Sequence, residues 1–378
     1  MFHVLSKEIG NNPKAFLKSI PRLLLITAQV FVCLKFYLLW YAVLQPLRLV
    51  KKDWFWFLEG ICYQSLITVV CSWLCGLDNN VLECGEDVTH LIEDNVLIIA
   101  NHQSPMDIII IMLCLQGKGN ILSNSMWIMS WIFQILPFGM VSKGHGDAFI
   151  LQGGHAKLVA NLLKMDVSEL KVKELQKLRK CFLQSYIRLK RKWLILFPEG
   201  GFLRNTKPSS QRYANKQGLS PLNNVAYPKV SGIQNAIDVI GVETKDRVRE
   251  KQDESGGFKW IIDLTIGYKR DSSLLSYFIG HNGPQTVVCY YRVYSAEDII
   301  GNYRNGSKPA RDEKISQWLN DRFVEKDQIL ETFYESGKFP HAENCRVSEP
   351  LRWFLLFGVH VWIVASFVLL MFGLHILC

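Results

Sequence analysis

The sequence predicts a mixed α/β domain with an apolar, membrane-spanning helix at each end of the chain. Two continuous apolar runs, residues 96–100 and 193–197, are typical of strands that helices cover on both faces. Stretches with helical spacing alternate with these and further strands, as expected for one α/β domain. The apolar runs at 23–44 and 354–377 are long enough to cross a bilayer.

Composition excludes a disordered chain. Of the 378 residues, 49% are hydrophobic and 20% are charged, and 43 Lys and Arg against 34 Asp and Glu give a net charge of +9. No nucleic-acid recognition motif accompanies the basic cluster at 179–192, so we expect a solvated helix face, or a surface for anionic head groups or the phosphates of CoA. The ten cysteines lack metal-ligand spacing, and we predict that they are reduced and structural.

The first 80 residues divide into a short N-terminal segment (1–22), a transmembrane anchor (23–44) and a membrane-associated helical region (45–80). The anchor carries a single charge, Lys35, and ends in aromatic residues suited to the membrane interface. Within the third region, residues 54–77 are compatible with a re-entrant segment, an interfacial helix or a buried helix.

The C-terminal span, 354–377, fixes the expected orientation of the protein. Arg346 and Arg352 precede it, and cytoplasmic flanks carry an excess of positive charge, so the domain between the spans is predicted to face the cytosol. On that side the glycosylation pattern at 305–307 would remain unmodified.

Residues 81–340 are predicted to form the catalytic domain. The expected elements are strands at 261–266 and 286–293, helices at 106–115, 157–189 (broken near 166–168) and 312–335, and an exposed charged insertion at 244–257.

The first candidate for chemistry follows the strand that ends at Ala100. Open α/β sheets bind ligands at the carboxyl ends of their strands, and here Asn101 and His102 lie at such an end. Asp107, five residues after His102 at the start of a helix, can orient the imidazole and stabilise its protonated form. The alternative is an ordinary helix N-cap at Ser104 or Asp107 beside a histidine with satisfied hydrogen bonds.

The second candidate follows the strand that ends at Phe197. Glu199 is followed by Gly200 and Gly201, which allow a ligand to approach the backbone closely. Arg204 and Lys207, the next bases, can attract a phosphate. The alternative is a tight turn with a solvated glutamate.

Together these segments resemble the glycerolipid acyltransferase family. His102-x-x-x-x-Asp107 after Asn101 matches the catalytic block of the family, and Phe197-Pro-Glu-Gly200 matches its acceptor block. The segments 260–263 and 322–327 are similar to those of the subgroup that acylates lysophosphatidylglycerol.

The resemblance implies a glycerol-3-phosphate acyltransferase-like mixed sheet flanked by helices, an acyl-CoA donor, a lysophospholipid acceptor and residence in the endoplasmic reticulum membrane. It makes His102 and Asp107 the catalytic residues. The implied substrate-binding residues are Asn101, Lys143, Glu199, Gly200, Gly201, Arg204 and Lys207.

Some positions depart from the family pattern. Phe202 stands where the family usually has an arginine, and Lys143 is the base nearest to the middle block. These departures favour an acceptor whose phosphate already carries a head group. Lysophosphatidylinositol, lysocardiolipin and lysophosphatidylethanolamine remain alternatives to lysophosphatidylglycerol, and an inactive lipid-binding membrane protein is the non-enzymatic alternative.

The expected mechanism is direct attack of the lysolipid hydroxyl on the thioester, with His102 as general base. No G-x-S-x-G nucleophile motif is present, and neither a metal nor a cofactor beyond the co-substrate acyl-CoA is expected. Backbone N–H groups near Gly139 or Gly200 are candidate oxyanion donors. By analogy with serine protease triads, Asp107→Asn is expected to cost several orders of magnitude. His145 is interpreted as a loop histidine, and the alternative is a second acid–base pair with Asp147.

Overall fold

The computed structural model describes residues 13–74, 80–151, 153–242, 256–269, 285–301, 307–340, 342, 344–348 and 353–377. The helices are α1 (Pro13–Val43), α2 (Gln45–Val50), α3 (Lys52–Ser72), α4 (Met106–Gln116), α5 (Pro137–His145), α6 (Gly153–Leu162), α7 (Val167–Cys181), α8 (Leu203–Gln217), α9 (Ser231–Ile240), α10 (Ala296–Ile300), α11 (Lys308–Ser336) and α12 (Trp353–Leu377). A π-helical turn, Phe182–Ile187, extends α7. The strands are β1 (Asn80–Gly85), β2 (Val96–Ala100), β3 (Ser125–Ser130), β4 (Ala148–Ile150), β5 (Trp193–Leu196), β6 (Trp260–Tyr268), β7 (Thr286–Ser295) and β8 (Arg346–Val347).

The eight strands form one mixed sheet in the order β4-β3-β5-β2-β6-β7-β1-β8. The pairs β6–β7 and β1–β8 are antiparallel, and the other described pairs are parallel. The predicted mixed α/β class is therefore confirmed. Both β2 and β5 are buried along their whole length because helices cover both faces of the sheet.

Two apolar cores lie on opposite faces of the sheet. One core is formed with α1, α3 and α4, and the other with α7, α9 and α11. Since β2 lies between β5 and β6, the residues that follow its carboxyl end are surrounded by the adjoining loops. The predicted motifs that follow β2 and β5 therefore lie close together at the centre of the sheet.

Within the described parts of the chain, two helices have the length and composition needed to cross a membrane, Ser19–Val43 within α1 and Lys52–Ser72. In α3, 67% of the apolar window is buried inside the protein, which agrees best with the buried-helix alternative for residues 54–74. The apolar C-terminal helix α12 packs on α1, where Phe36 meets Trp362 edge-on with ring centroids 5.1 Å apart. Spans at 23–44 and 354–377, and the division of the chain around them, stay predictions.

The cysteine prediction was wrong for one pair. Cys84 on β1 and Cys345 before β8 form a disulfide that joins residues 261 positions apart. Their sulfur atoms meet because β8 lies antiparallel to β1. These two strands are far apart in the sequence, so the spacing of the cysteines does not indicate that they pair. Cys33, Cys62, Cys114, Cys181 and Cys289 are free thiols. Most of the predicted insertion at 244–257, and Asn305 of the glycosylation pattern, lie outside the described residues.

Candidate active site

The structure brings His102 and Asp107 together at the carboxyl end of β2. Nδ1 of His102 lies 2.8 Å from Oδ2 of Asp107. Asp107 is fully buried and His102 is 7% exposed. Asp107 occupies the first turn of α4, so the turn at 103–105 folds its carboxylate back onto the imidazole.

Asp107 is held by more than the histidine. Its Oδ2 also accepts hydrogen bonds from the backbone N–H groups of Gln103 at 2.7 Å and Ser104 at 2.9 Å. Its Oδ1 accepts a hydrogen bond from the hydroxyl of Tyr268 at the end of β6. Because the carboxylate only accepts, Nδ1 of His102 is the donor, and the lone pair resides on Nε2. Nε2 makes no hydrogen bond to the described residues, so it is available to take a proton.

The helix N-cap that was the alternative to a His102–Asp107 pair is also present, at Ser104. Its hydroxyl accepts a hydrogen bond from the N–H of Met106 at 3.0 Å, as a capping side chain does. The capping interaction and the His102–Asp107 pair coexist, since Asp107 serves the histidine and Ser104 serves the helix.

Two aromatic rings enclose the imidazole. Phe197 stacks on His102 with ring centroids 3.9 Å apart and planes 14° from parallel. Phe202 lies 4.4 Å from the same ring at a tilt of 52°. The position where the family usually has an arginine is therefore filled by an apolar contact to the candidate base.

Glu199 contacts the backbone of His102, with no described contact to its ring. Its Oε1 accepts a hydrogen bond from the His102 N–H at 2.7 Å, and its Oε2 accepts one from the Ala226 N–H at 2.9 Å. The N–H of Leu203 donates to the His102 carbonyl at 2.7 Å. Burial raises the pKa of Glu199 to about 8, although the two N–H donors act in the opposite direction. The acceptor motif thus fixes the backbone of the candidate base on both sides.

Asn101 performs a similar task on the neighbouring strand. Its side-chain Nδ2 donates to the carbonyl of Ile266 at 3.0 Å, and its Oδ1 accepts from the Ile266 N–H at 2.8 Å. These two bonds continue the β2–β6 pairing past the end of β2. Both polar groups of this side chain therefore bond to the protein backbone.

The other predicted substrate-binding residues differ in position. Gly200 and Gly201 lie in the loop before α8 with φ angles of 73° and 153°, which favour glycine. Arg204 is exposed on the first turn of α8, and Lys207 donates to the carbonyl of Asn223 at 2.9 Å. Lys143, on α5, is exposed and forms no hydrogen bond or ion pair with the described residues.

The two backbone donors suggested for an oxyanion are engaged in turns. The N–H of Gly139 donates to Leu136, and the N–H of Gly200 donates to Phe197. The next N–H along the second loop, that of Gly201, donates to no described residue. Among the described residues, no group of three or more His, Cys, Asp or Glu side chains is arranged to hold a metal ion.

A buried charge cluster supports the loop beneath the site. Lys326 on α11 is fully buried and places Nζ 2.5 Å from Oδ1 of Asp263 on β6, whose other oxygen lies 2.6 Å from Arg292. Asp327 accepts hydrogen bonds from the backbone of 223–225, next to the N–H bound by Glu199. The two segments that resemble the lysophosphatidylglycerol subgroup therefore meet in space and act as scaffold.

The interpretation of His145 as a loop histidine was wrong. It is the last residue of α5, is buried, and places Nδ1 3.1 Å from the carboxylate of Glu59 on α3. Tyr63 stacks on its ring at 3.7 Å, and Tyr37 of α1 donates to Glu59 at 2.6 Å. Sequence spacing could not reveal this cluster, because its members come from separate helices.

Family models match both halves of this arrangement. A model described as acyltransferase matches residues 83–222, and one described as acyltransferase C-terminus matches residues 300–362. A human protein named acyl-CoA:lysophosphatidylglycerol acyltransferase 1 is 31% identical over 361 residues, which cover 93% of this chain and 91% of the relative. The chain belongs to the acyltransferase family.

More distant relatives of this acyltransferase carry related names. A putative 1-acyl-sn-glycerol-3-phosphate acyltransferase of Caenorhabditis elegans is 29% identical, with 69% of this chain and 62% of the relative covered. A 2-acyl-1-lysophosphatidylinositol acyltransferase of Saccharomyces cerevisiae is 30% identical over 39% of this chain and 34% of its own length. The solved 1-acyl-sn-glycerophosphate acyltransferase of Thermotoga maritima aligns with 79% of this chain and 97% of its own, at 13% identity and a TM-score of 0.34.

Proposed function

We propose that this acyltransferase transfers the acyl group of acyl-CoA to a lysophospholipid hydroxyl, with lysophosphatidylglycerol as the acceptor class. The observation that carries the proposal is the His102–Asp107 pair, 2.8 Å apart, with Nε2 left without a described partner. The human relative named for this substrate supports the choice of acceptor.

In the proposed reaction, His102 is the catalytic residue. Nε2 takes the proton of the acceptor hydroxyl while its oxygen attacks the thioester carbonyl. The tetrahedral intermediate then collapses, the C–S bond breaks, and the imidazolium returns the proton to the CoA thiolate. Asp107 fixes the tautomer and stabilises the imidazolium. We assign the oxyanion to the N–H of Gly201, since the turns engage those of Gly139 and Gly200.

A thioester is already activated, so the proposed chemistry requires neither a metal nor a resident cofactor. Turnover in the presence of a strong chelator should therefore equal turnover without it. A loss of activity that added divalent cation restores would contradict this part of the proposal.

The acceptor is proposed from the surroundings of the base. A phosphate monoester approaches two negative charges and favours several cations at short range, whereas a phosphodiester carries one. Here Phe202 packs on His102, Lys207 is bonded to a backbone carbonyl, and Arg204 is exposed on the first turn of α8. One arginine suffices for a diester.

The test compares lysophosphatidylglycerol with lysophosphatidic acid at a matched detergent ratio in one enzyme preparation. We expect the lysophosphatidylglycerol rate to be higher and Arg204→Ala to raise the KM for the lysolipid more than that for acyl-CoA. A tenfold preference for lysophosphatidic acid, about 1.4 kcal/mol, would overturn the acceptor assignment. Lysophosphatidylinositol, lysocardiolipin and lysophosphatidylethanolamine belong in the same panel as alternative outcomes.

We further propose residence in the endoplasmic reticulum membrane, with spans at 23–44 and 354–377 and the acyltransferase domain, 81–340, on the cytosolic side. On the cytosolic side, Asn305 of the glycosylation pattern should remain unmodified in cells. A glycan on Asn305, detected as a mass shift that an endoglycosidase removes, would place the domain in the lumen. The Cys84–Cys345 disulfide is the observation against a cytosolic domain, because cytosolic proteins seldom keep disulfides.

A further inference from the structure

A long uncharged segment ends in an exposed apolar surface. Residues 119–142 contain no Asp, Glu, Lys, Arg or His. Within this segment, a 3₁₀ turn (Trp131–Ile135) and the start of α5 expose five large apolar side chains, which we call the apolar tip. Its members are Trp131, Ile132, Ile135 (70% exposed), Leu136 and Met140 (53% exposed).

The apolar tip is a firmly folded feature. Leu136 donates its N–H to Phe133, and Gly139 donates to Leu136, so the turn is closed by backbone hydrogen bonds. A Cβ at Gly139 would lie 1.7 Å from the carbonyl oxygen of Phe133, which shows how closely the two backbones approach. The exposure of these side chains is therefore built into the fold.

Its position relates it to the candidate active site. The strand β3 runs parallel to β5, and β5 runs parallel to β2. The tip directly follows β3, and His102 directly follows β2, so both lie at the carboxyl edge of the sheet. The tip therefore occupies the side of the domain through which a lipid would reach the base.

The tip also adjoins the apolar helices. Phe138, in the first turn of α5, packs edge-on against Trp73 at the end of α3, with ring centroids 6.1 Å apart. The backbone carbonyl of Trp73 accepts a hydrogen bond from Arg22 of α1 at 2.7 Å. On α1 nearby, Leu24 and Leu25 are also exposed. Tyr37 of α1 also donates to the carbonyl of Val141 on α5, so the tip lies on an element that packs against the helix long enough to span a membrane.

We propose that the apolar tip inserts into the interfacial layer of the bilayer, beside α1, and holds the candidate active site against the lipid surface. Protein interfaces have a polar rim around their apolar centre, whereas the exposed turn and the start of α5, residues 131–142, carry no charged side chain. Aromatic and aliphatic side chains that extend from an apolar helix suit the membrane interface. The proposal deepens the proposed function, because it names the surface from which that enzyme takes its lipid.

The first experiment needs no turnover, so it reports on the tip even if the proposed function is wrong. The full-length protein is reconstituted in phosphatidylcholine–phosphatidylglycerol vesicles with photoreactive benzoylphenylalanine in place of Ile135. A matched preparation carries it in place of Val172, which is 54% exposed on α7 across the sheet. We expect lipid adducts at position 135 and few at 172. Equal labelling, or cross-links from 135 to a second copy of the chain, would overturn the proposal.

The second experiment separates membrane contact from chemistry. The Ile135→Asp variant should turn over a long-chain lysolipid in vesicles about fivefold more slowly, as expected for a charge near the membrane interface. A short-chain lysolipid, dissolved as monomers, should react at the unchanged rate, and Val172→Asp should leave both rates unchanged. Equal losses with both substrates in Ile135→Asp would contradict the proposal, whereas inactivity of the unmodified protein on both would contradict the proposed function alone.

Discussion

Asp107→Asn should cost far less than the replacement costs in a serine protease triad. Oδ2 accepts hydrogen bonds from Gln103, Ser104 and Nδ1 of His102, at 2.7 to 2.9 Å. In the variant, an amide NH₂ at the Oδ2 position would face three hydrogen-bond donors. The asparagine carbonyl oxygen must therefore occupy that position, and the NH₂ must point toward Tyr268. The tyrosine hydroxyl can rotate to accept, and the histidine keeps its tautomer.

The magnitude follows from what the variant loses. The geometry survives, and only the negative charge beside the imidazolium is removed. A hydrogen bond to a charged group is worth roughly 1.5–3 kcal/mol, so we expect kcat to fall about 10- to 150-fold. An incorrect tautomer would cost about 10⁴-fold. This revises the several orders of magnitude that the triad analogy suggests.

The assay measures kcat and KM with one lysolipid and one acyl-CoA. In Asp107→Asn, kcat should fall by the stated factor and both KM values should stay close to those of the unmodified protein, because the lost charge acts on the imidazolium formed during the reaction. Tyr268→Phe, which removes the donor to Oδ1 and leaves the charge in place, serves as the matched control and should lower kcat by less than about tenfold. A loss of about 10⁴-fold in Asp107→Asn would refute the reasoning from the three donors.

Three further outcomes can be checked. His102→Ala should abolish turnover while the protein still fractionates with membranes, and near-normal turnover would exclude the proposed mechanism. Burial raises the pKa of Glu199 from 4.5 to about 8, so this carboxyl is mostly protonated at neutral pH; Glu199→Gln, which resembles the protonated acid, should change the free energy of unfolding there by less than about 1 kcal/mol. Between pH 4.5 and pH 8 the free energy of unfolding of the unmodified protein should fall, because the unfolded carboxyl ionises before the folded one, and denaturant titrations of the Gln variant should lack that slope. Lys326→Ala should lower the free energy of unfolding by about 3–5 kcal/mol, since Asp263 loses a buried partner, whereas exposed Lys314→Ala should change it by less than about 0.5 kcal/mol.

The sequence predicts the parts of this fold in which local pattern and burial agree. The central strand β2 has the predicted bounds, and α4 extends one residue beyond the prediction, because a fully apolar strand and a turn before an apolar helix leave few alternatives. The short strands β3 and β4 do not appear among the predicted elements. Their apolar residues do not alternate clearly, and they owe their pairing to neighbours distant in sequence.

For the candidate site, the sequence identifies the motifs but does not show which atoms of their side chains form hydrogen bonds, or to which partners. Spacing brings Asp107 to His102, because five residues span one turn. Spacing cannot show that Glu199 accepts a hydrogen bond from the backbone N–H of His102, 97 residues away. It also cannot show that Tyr268, on another strand, donates a hydrogen bond to the carboxylate of Asp107. These contacts depend on strand order, which a single sequence does not contain.

The packing of α12 on α1 also sets an order of events during synthesis. Nε2 of Gln29 on α1 lies 3.3 Å from Nε2 of His360, and Trp40 donates to Ser366 at 3.2 Å. Both partners lie more than 320 residues after the α1 residues that they contact, so they leave the ribosome long after α1 does. Until α12 has been made, these polar groups of α1 lack their folded partners, which costs several kcal/mol each wherever the proposed span lies in hydrocarbon. In a nascent chain that halts before α12, α1 is therefore less stable than in the complete fold.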